Sequence, residues 1–222
     1  KKILNKNKKV IGIDNINRYY DTNLKKDRIN NLKQYKKFSF YKIDLSNYKK
    51  LNDIVKKNKI NIIIHLAAQA GVRYSIKYPR TYFKSNLEGF FNILEISRNN
   101  KIKHLIYAST SSVYGDSNKF PLKENDRTDQ PLSFYAATKK SNEVMAHSYS
   151  HIYKLPCTGV RFFTVYGPFG RPDMALFKFT KNIINNHLIE LFNHGKHLRD
   201  FTYVDDIVDG IYSLINKQSK KT

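Results

Sequence analysis

Tyr135 and Lys139 stand four residues apart within Ser133-Phe-Tyr-Ala-Ala-Thr-Lys-Lys-Ser-Asn-Glu143. On a helix this spacing projects both side chains from one face, about one turn apart. A phenol with a pKa of ~10 is only on the order of 0.1 % phenolate at neutral pH. A lysine ammonium one turn away favours the phenolate, and each unit of lowering corresponds to ~1.4 kcal/mol. The pair is therefore a means of making an oxygen base near neutrality. Alone the spacing is ambiguous, because the chain holds 16 tyrosines, and a bare pair reads better as a surface lysine beside a packing tyrosine. The segment upstream changes that reading. His104-Leu-Ile-Tyr-Ala-Ser-Thr-Ser-Ser-Val-Tyr-Gly115 is a short apolar strand running into the hydroxyls of Ser109, Thr110, Ser111 and Ser112. A buried strand that opens into small polar residues marks the carboxyl end of an α/β sheet, where ligands bind.

The surrounding pattern supplies such a sheet. Residues 1 to 8 read as the end of a helix and a Lys/Asn turn, followed by a strand from Lys9 that ends in the acid Asp14. A polar helix is expected around 22–34, a strand over Phe38–Leu45, and a helix with Leu51, Ile54 and Val55 on one face. Asn61–Ala68 is a continuous apolar run, as in a parallel sheet covered on both sides, and its Ala67-Ala68 exit lets a ligand approach the backbone. Pro79 starts a long helix carrying Asn86, Leu87, Phe90, Phe91 and Leu94. The helix through Tyr135 runs to about Tyr153 and is followed by a strand from Cys157 to Phe163. Thr164–Asp173 is too rich in Gly and Pro for regular structure and reads as an active-site loop. A helix at 175–186, a short strand near Ile189–Phe192 and a last helix near 205–217 complete the pattern. Asp205 and Asp206 read as caps of that last helix. Alternating strands and helices predict a doubly wound α/β sheet of Rossmann type.

Composition narrows the class further. The 222 residues are 41 % hydrophobic and 14 % aromatic, enough for a sizeable core. A single cysteine allows no intramolecular disulfide and suits a reducing cytoplasm. No apolar run is long enough to span a membrane. The net charge of +22 comes from lysines scattered over loops and exposed helix faces rather than an arginine-rich face, which argues against nucleic acid as a partner while helping to attract an anionic substrate. His147 and His151 are one turn apart, but with no third ligand nearby they read as packing or subunit-contact residues, not a metal site.

Taken together, these motifs resemble the extended short-chain dehydrogenase/reductase family, and within it the UDP-glucuronate 4-epimerases. The resemblance rests on Gly12-Ile-Asp-Asn-Ile-Asn-Arg-Tyr-Tyr-Asp21, His65-Leu-Ala-Ala-Gln-Ala-Gly-Val-Arg-Tyr-Ser75, Tyr135-Ala-Ala-Thr-Lys139, Arg161-Phe-Phe-Thr-Val-Tyr-Gly-Pro168, Gly170-Arg-Pro-Asp-Met-Ala175 and Arg199-Asp-Phe-Thr-Tyr203. It implies NAD as cofactor and a UDP-sugar as substrate. Asp14 and Asn15 would contact the adenosine ribose, and Asp44 and Leu45 the adenine. Leu66, Ala67, Ala68, Asn86 and Ser109 would line the rest of the cofactor, and Lys139 would hold the nicotinamide ribose. Tyr135 would take the proton of the 4-hydroxyl, with Thr110 hydrogen-bonded to that hydroxyl. Ser111, Ser112, Thr164 and Arg171 would meet a sugar carboxylate and Arg199 the diphosphate. Arg73 reads equally as sugar-facing or as solvating a loop. A homodimer is implied as well.

The resemblance divides the chain into a Rossmann domain over 1–163 and a partial substrate lobe over 164–222. An acid such as Asp14 follows a Gly-rich phosphate loop by ~20 residues, and none of the nine glycines precedes Gly12. The sequence thus reads as incomplete at its start, and as lacking the C-terminal part of the lobe, which predicts weak NAD binding by these residues alone. A 4,6-dehydratase would need an Asp-Glu pair where Ser111 and Ser112 stand. UDP-glucose 4-epimerase is the alternative within the family, and a non-catalytic scaffold is the alternative outside it. The intact Tyr135, Lys139 and Thr110 argue against a scaffold for the whole protein, whereas the missing ends argue for one in the fragment.

Overall fold

The computed structural model describes residues 1–191, 193–196 and 198–217. In chain order it begins with α1 (Lys2–Asn5), β1 (Val10–Asp14), α2 (Thr22–Lys33), β2 (Phe38–Lys42) and α3 (Tyr48–Asn58). Next come β3 (Ile62–His65), α4 (Val72–Lys77), α5 (Pro79–Tyr82), a π-helical turn (Phe83–Glu88) and α6 (Gly89–Asn99). β4 (His104–Thr110), α7 (Phe134–Tyr153), β5 (Cys157–Phe162), β6 (Thr164–Tyr166), α8 (Ala175–Ile184), β7 (Phe201–Tyr203) and α9 (Val204–Leu214) follow.

Two compact units result. One combines Lys1–Tyr41 with Phe163–Tyr212, the other Lys42–Phe162 with the described residues from Ser213 onward. The second unit carries a parallel sheet in the order β3-β4-β5, with Ile62 opposite His104 and Ser109 opposite Arg161. Six of the seven β4 residues are buried, as expected of a central strand covered on both faces. Leu51 of α3, Phe90, Leu94 and Ile96 of α6, and Leu105 and Ile106 of β4 form its core. The first unit contains the pair β1-β2 and the parallel pair β6-β7.

Local chemistry explains the elements that matter for the site. α7 starts where the Ser133 hydroxyl accepts the Ala136 N–H at 3.1 Å, and stops where Lys154 turns left-handed at φ 54°. Gly89 stands at the start of α6 because a Cβ there would lie 2.9 Å from the Leu45 Cβ. The long helix after Pro79 is present but broken by the π turn. β2 and β3 are shorter than the apolar runs suggest, ending at Lys42 and His65. α4 is absent from the sequence reading, since Val72–Lys77 spans too few residues to show a periodicity. No strand forms over Ile189–Leu191, and Phe192 lies outside the described residues, as does the Lys-rich end after Lys217. Asp205 and Asp206 sit in the first turn of α9.

Candidate active site

α7 carries Tyr135 in its first turn and Lys139 in its second. The Tyr135 ring meets the Tyr82 ring edge-on at 6.1 Å, and the Tyr82 hydroxyl donates to the carbonyl of Ala70 at 2.7 Å and to that of Gly71. Lys139 is only 2 % exposed, yet its ammonium makes no hydrogen bond or ion pair among the described residues. Burial drives its pKa down to about 8, and the negative charge of Glu143 pushes it back up. At neutral pH the ammonium still predominates. His65, at the end of β3, is held neutral: burial first, and the positive charge of Lys139 second, lower its pKa to about 3.

β4 delivers the hydroxyls. Ser109 and Thr110 are its last two residues, both buried. The Ser109 hydroxyl donates to Glu143 Oε1 at 2.6 Å. Thr110 caps a 3₁₀ turn over Ser111–Tyr114, its Oγ1 accepting the Ser112 N–H at 3.2 Å and lying 3.3 Å from the Ser112 hydroxyl. Ser111 and Ser112 are half-buried.

The exits of the other strands of this unit are equally specific. Asp44 Oδ1 accepts from the Ser46 N–H at 2.9 Å and the Ser46 hydroxyl at 2.7 Å, and Asn92 donates to the Leu45 carbonyl at 2.8 Å. Leu66 is half exposed beyond β3, and Ala67 and Ala68 are half-buried. Asn86 is committed to the protein. Its carbonyl accepts the Gln69 N–H at 2.7 Å, while its amide donates to the Gln69 carbonyl and to Thr138 Oγ1, both at 3.0 Å. Arg73 is exposed on α4.

In the other unit, Asp14 ends β1. Its Oδ1 accepts the Ile16 N–H at 2.6 Å and faces Lys25 Nζ at 3.6 Å, whereas Oδ2 accepts no hydrogen bond among the described residues. The Asn15 side chain accepts the Asn17 N–H at 3.0 Å. Thr164 and Arg171 line one cavity of about 420 Å³ with Tyr166, Met174, Phe177, Lys181 and Phe201. Arg171 does not present a bare cation there. It forks onto Asp173, Nε to Oδ1 at 2.9 Å and Nη2 to Oδ2 at 2.6 Å, and Tyr19 donates to the same carboxylate at 2.9 Å. Arg199 is exposed, lies outside this cavity, and donates to the Leu198 carbonyl at 2.7 Å.

The residue that sequence reasoning passed over is Glu143. It stands four residues beyond Lys139 and eight beyond Tyr135, the spacing that would have flagged it. Among the described residues no cluster of His, Cys, Asp or Glu could hold a metal ion, and no helix is long and apolar enough to cross a membrane. Each unit by itself holds groups of a type that suits ribose hydroxyls: in the one with α7, the Lys139 ammonium, which makes no hydrogen bond or ion pair among the described residues, and small residues at the exit of β3; in the other, an acid at the end of β1 with an oxygen that accepts no hydrogen bond among the described residues.

The NAD dependent epimerase/dehydratase family matches the chain over residues 1–222. With a Rossmann-type α/β fold and a Tyr-x-x-x-Lys helix, the chain belongs to that family. It is 56 % identical to Protein CapI of Staphylococcus aureus over 98 % of its own length and 65 % of that protein's. It is 48 % identical to a probable UDP-glucuronate 4-epimerase of Rhizobium meliloti, covering 96 % of this chain and 63 % of the relative. The chain thus spans a little under two thirds of the length of these relatives. A crystal structure of UDP-glucuronic acid 4-epimerase from Bacillus cereus, in complex with UDP-glucuronic acid and NAD, superimposes with a TM-score of 0.90 at 34 % identity, covering 96 % of this chain and 67 % of that one.

Proposed function

We propose that the protein to which this chain belongs catalyses NAD-dependent 4-epimerisation of a UDP-sugar, UDP-glucuronate to UDP-galacturonate. The observation that carries the reading is the buried, unpartnered Lys139 ammonium one turn from Tyr135 on α7. Asp14 and Asn15 would hold the adenosine ribose, Asp44 and Leu45 the adenine, Ala67 and Ala68 the cofactor's middle, and Lys139 the second ribose. Asn86 would act by fixing the Gln69 peptide, and Leu66 and Ser109 would border the site. NAD, held by these residues, would supply reversible hydride acceptance for C4 of the sugar. The chain's own residues manage the proton. Tyr135 Oη takes it from the 4-hydroxyl and gives it back, Thr110 holds that oxygen, and the Lys139 charge favours the phenolate.

Ser111, Ser112 and Thr164 are the proposed hydroxyl partners of the sugar carboxylate, with Arg73 and Arg199 at the sugar and diphosphate. The cavity that Thr164 shares with Lys181 and the rings of Tyr166, Phe177 and Phe201 suits the nucleotide part. Residues 1–163 would serve as the cofactor domain and 164–222 as part of the substrate lobe, in a cytoplasmic enzyme. A homodimer is supported by α7, where Val144, His147, Ser148, His151 and Ile152 form one exposed stripe, and by Phe83 and Phe91 exposed nearby in sequence on the neighbouring helix.

One observation favours a second reading, UDP-glucose 4-epimerase: the Asp173 fork already neutralises Arg171. Product analysis by NMR with both sugars separates the two. A preference for UDP-glucuronate of at least one to two decades, the value of a charge-assisted bond of ~1.5–3 kcal/mol, is expected; equal rates on UDP-glucose would move the assignment to the neutral sugar.

A further inference from the structure

Glu143 is a carboxylate of this unit held from three directions. Its side chain is 14 % exposed and takes the Ser109 hydroxyl at 2.6 Å and a fork from Arg161, Nε and Nη2 both at 2.9 Å. Lys140 Nζ lies 3.8 Å away. Arg161 is anchored in turn, donating to the Glu124 carbonyl at 3.0 Å and lying over the Tyr114 ring at 4.9 Å. The carboxylate therefore joins α7 to the last turn of β4 and to β5, at the register position where Ser109 faces Arg161. Tyr135, Lys139 and Glu143 follow one another at intervals of four along α7, so whatever fixes Glu143 fixes the rotation of the face that carries the other two.

We propose that Glu143 is a positioning residue for the Tyr135–Lys139 pair: clamped to Ser109 and Arg161, its carboxylate fixes the face of α7 and supplies the through-space counter-charge of the Lys139 ammonium. The proposal rests on reading Tyr135 and Lys139 as the catalytic pair. The groups that face this array are His65 from β3, Tyr107 from β4, Cys157 and Arg161 from β5, Tyr114 beyond β4, Tyr82 from α5, and Lys140 with Tyr135 on α7. His65 and Tyr107 are neutral near pH 7, His65 because burial disfavours its charge and Tyr107 because burial and Glu143 push its phenol up. Cys157 is likewise held as the thiol by burial. Glu143 is thus the anion that balances Lys139, and Arg161 is the cation that tempers Glu143. A salt-bridged carboxylate of this kind gives opposite responses to removal of each partner, which a purely mechanical strut does not.

The test is the titration midpoint of Lys139 itself, read from its ¹³Cε resonance in the full chain without cofactor or sugar and assigned by its loss in Lys139→Arg. Glu143→Gln keeps an acceptor for Ser109 and is expected to lower the midpoint by at least about half a unit. Arg161→Met leaves the carboxylate untempered and is expected to raise it, whereas Arg161→Lys keeps the charge and leaves it within about 0.3 unit. Midpoints that stay put in both Glu143→Gln and Arg161→Met, or move the same way, would overturn the proposal. Should Glu143→Gln not fold, the double variant Glu143→Gln/Arg161→Met is compared with Arg161→Met: a midpoint lower by at least about half a unit in the double variant supports the proposal, and an equal midpoint overturns it. Because no turnover is measured, this result is separable from the fate of the epimerase assignment, which the sugar products decide.

Discussion

Lys139 and His65 place two opposed burial costs within one site, and each leaves a signature in stability against pH. The folded-state pKa of Lys139 is lowered to about 8 against 10.5, so the unfolded chain binds the extra proton between those values. Stability contributed by this group therefore rises with pH from about 8 to 10.5, and its full cost, roughly 3 kcal/mol, is present below pH 8. Lys139→Met is expected to stabilise the chain by a few kcal/mol at pH 7, with the difference fading above pH 10 in denaturant titrations. An unchanged or lower midpoint at pH 7 would show that the ammonium is not buried at a cost. His65 works in the acid window. Its pKa near 3 against 6.5 means that stability falls as pH drops through that interval, by an amount on the order of several kcal/mol. Chemical denaturation at pH 4 and pH 7 measures this, and His65→Gln should flatten the acid limb; an equally steep limb in the variant would assign the acid loss elsewhere.

Helix α5, the π turn and α6 show how one element ties together segments that lie far apart in the chain. Asn86 is buried within the π turn, where its side-chain amide closes on the main-chain N–H and carbonyl of Gln69 and on Thr138, and its main-chain carbonyl accepts from Asn142 Nδ2 at 2.8 Å. The loop after β3 and the helix bearing Tyr135 are thereby tied through one amide. Asn86→Ala would strand the buried Gln69 N–H, and we expect a loss of about 2–4 kcal/mol in unfolding free energy. A loss under 1 kcal/mol would mean that the loop finds other partners. This element also shows what the sequence makes legible. Pro79, the apolar spacing of Phe90 and Leu94, the buried run of β4 and the Tyr135–Lys139 spacing are local signals with one physical reading each. The π turn, the short α4 and the Asn86 amide bridge are not, because they depend on pairings between residues far apart in the chain. Arg171 illustrates the same limit: its type and loop suggest an anion partner, and only the structure places Asp173 as that partner.

The two compact units each carry part of the proposed chemistry, the proton-handling residues in one and Asp14, Thr164 and Arg171 in the other. Assembly is the property of the whole molecule most open to direct test. Val144 and Ile152 are 58 % and 60 % exposed on one stripe of α7, and burying that stripe against its copy is the proposed basis of the homodimer. Sedimentation should give a dimer for the wild type and a monomer for Val144→Glu/Ile152→Glu, with a dimer in both placing the interface elsewhere. The account as a whole stands on transient oxidation at C4 with Tyr135 moving the proton. The most direct measurement is ¹H NMR of the sugar nucleotide formed when the protein turns over UDP-glucuronate with NAD in D₂O, run alongside Tyr135→Phe. The account predicts UDP-galacturonate that retains protium at C4, because the hydride leaves and returns without meeting solvent, and a rate lower by about 10²- to 10⁴-fold in Tyr135→Phe. Deuterium at C4, or near-normal turnover by Tyr135→Phe, would contradict it.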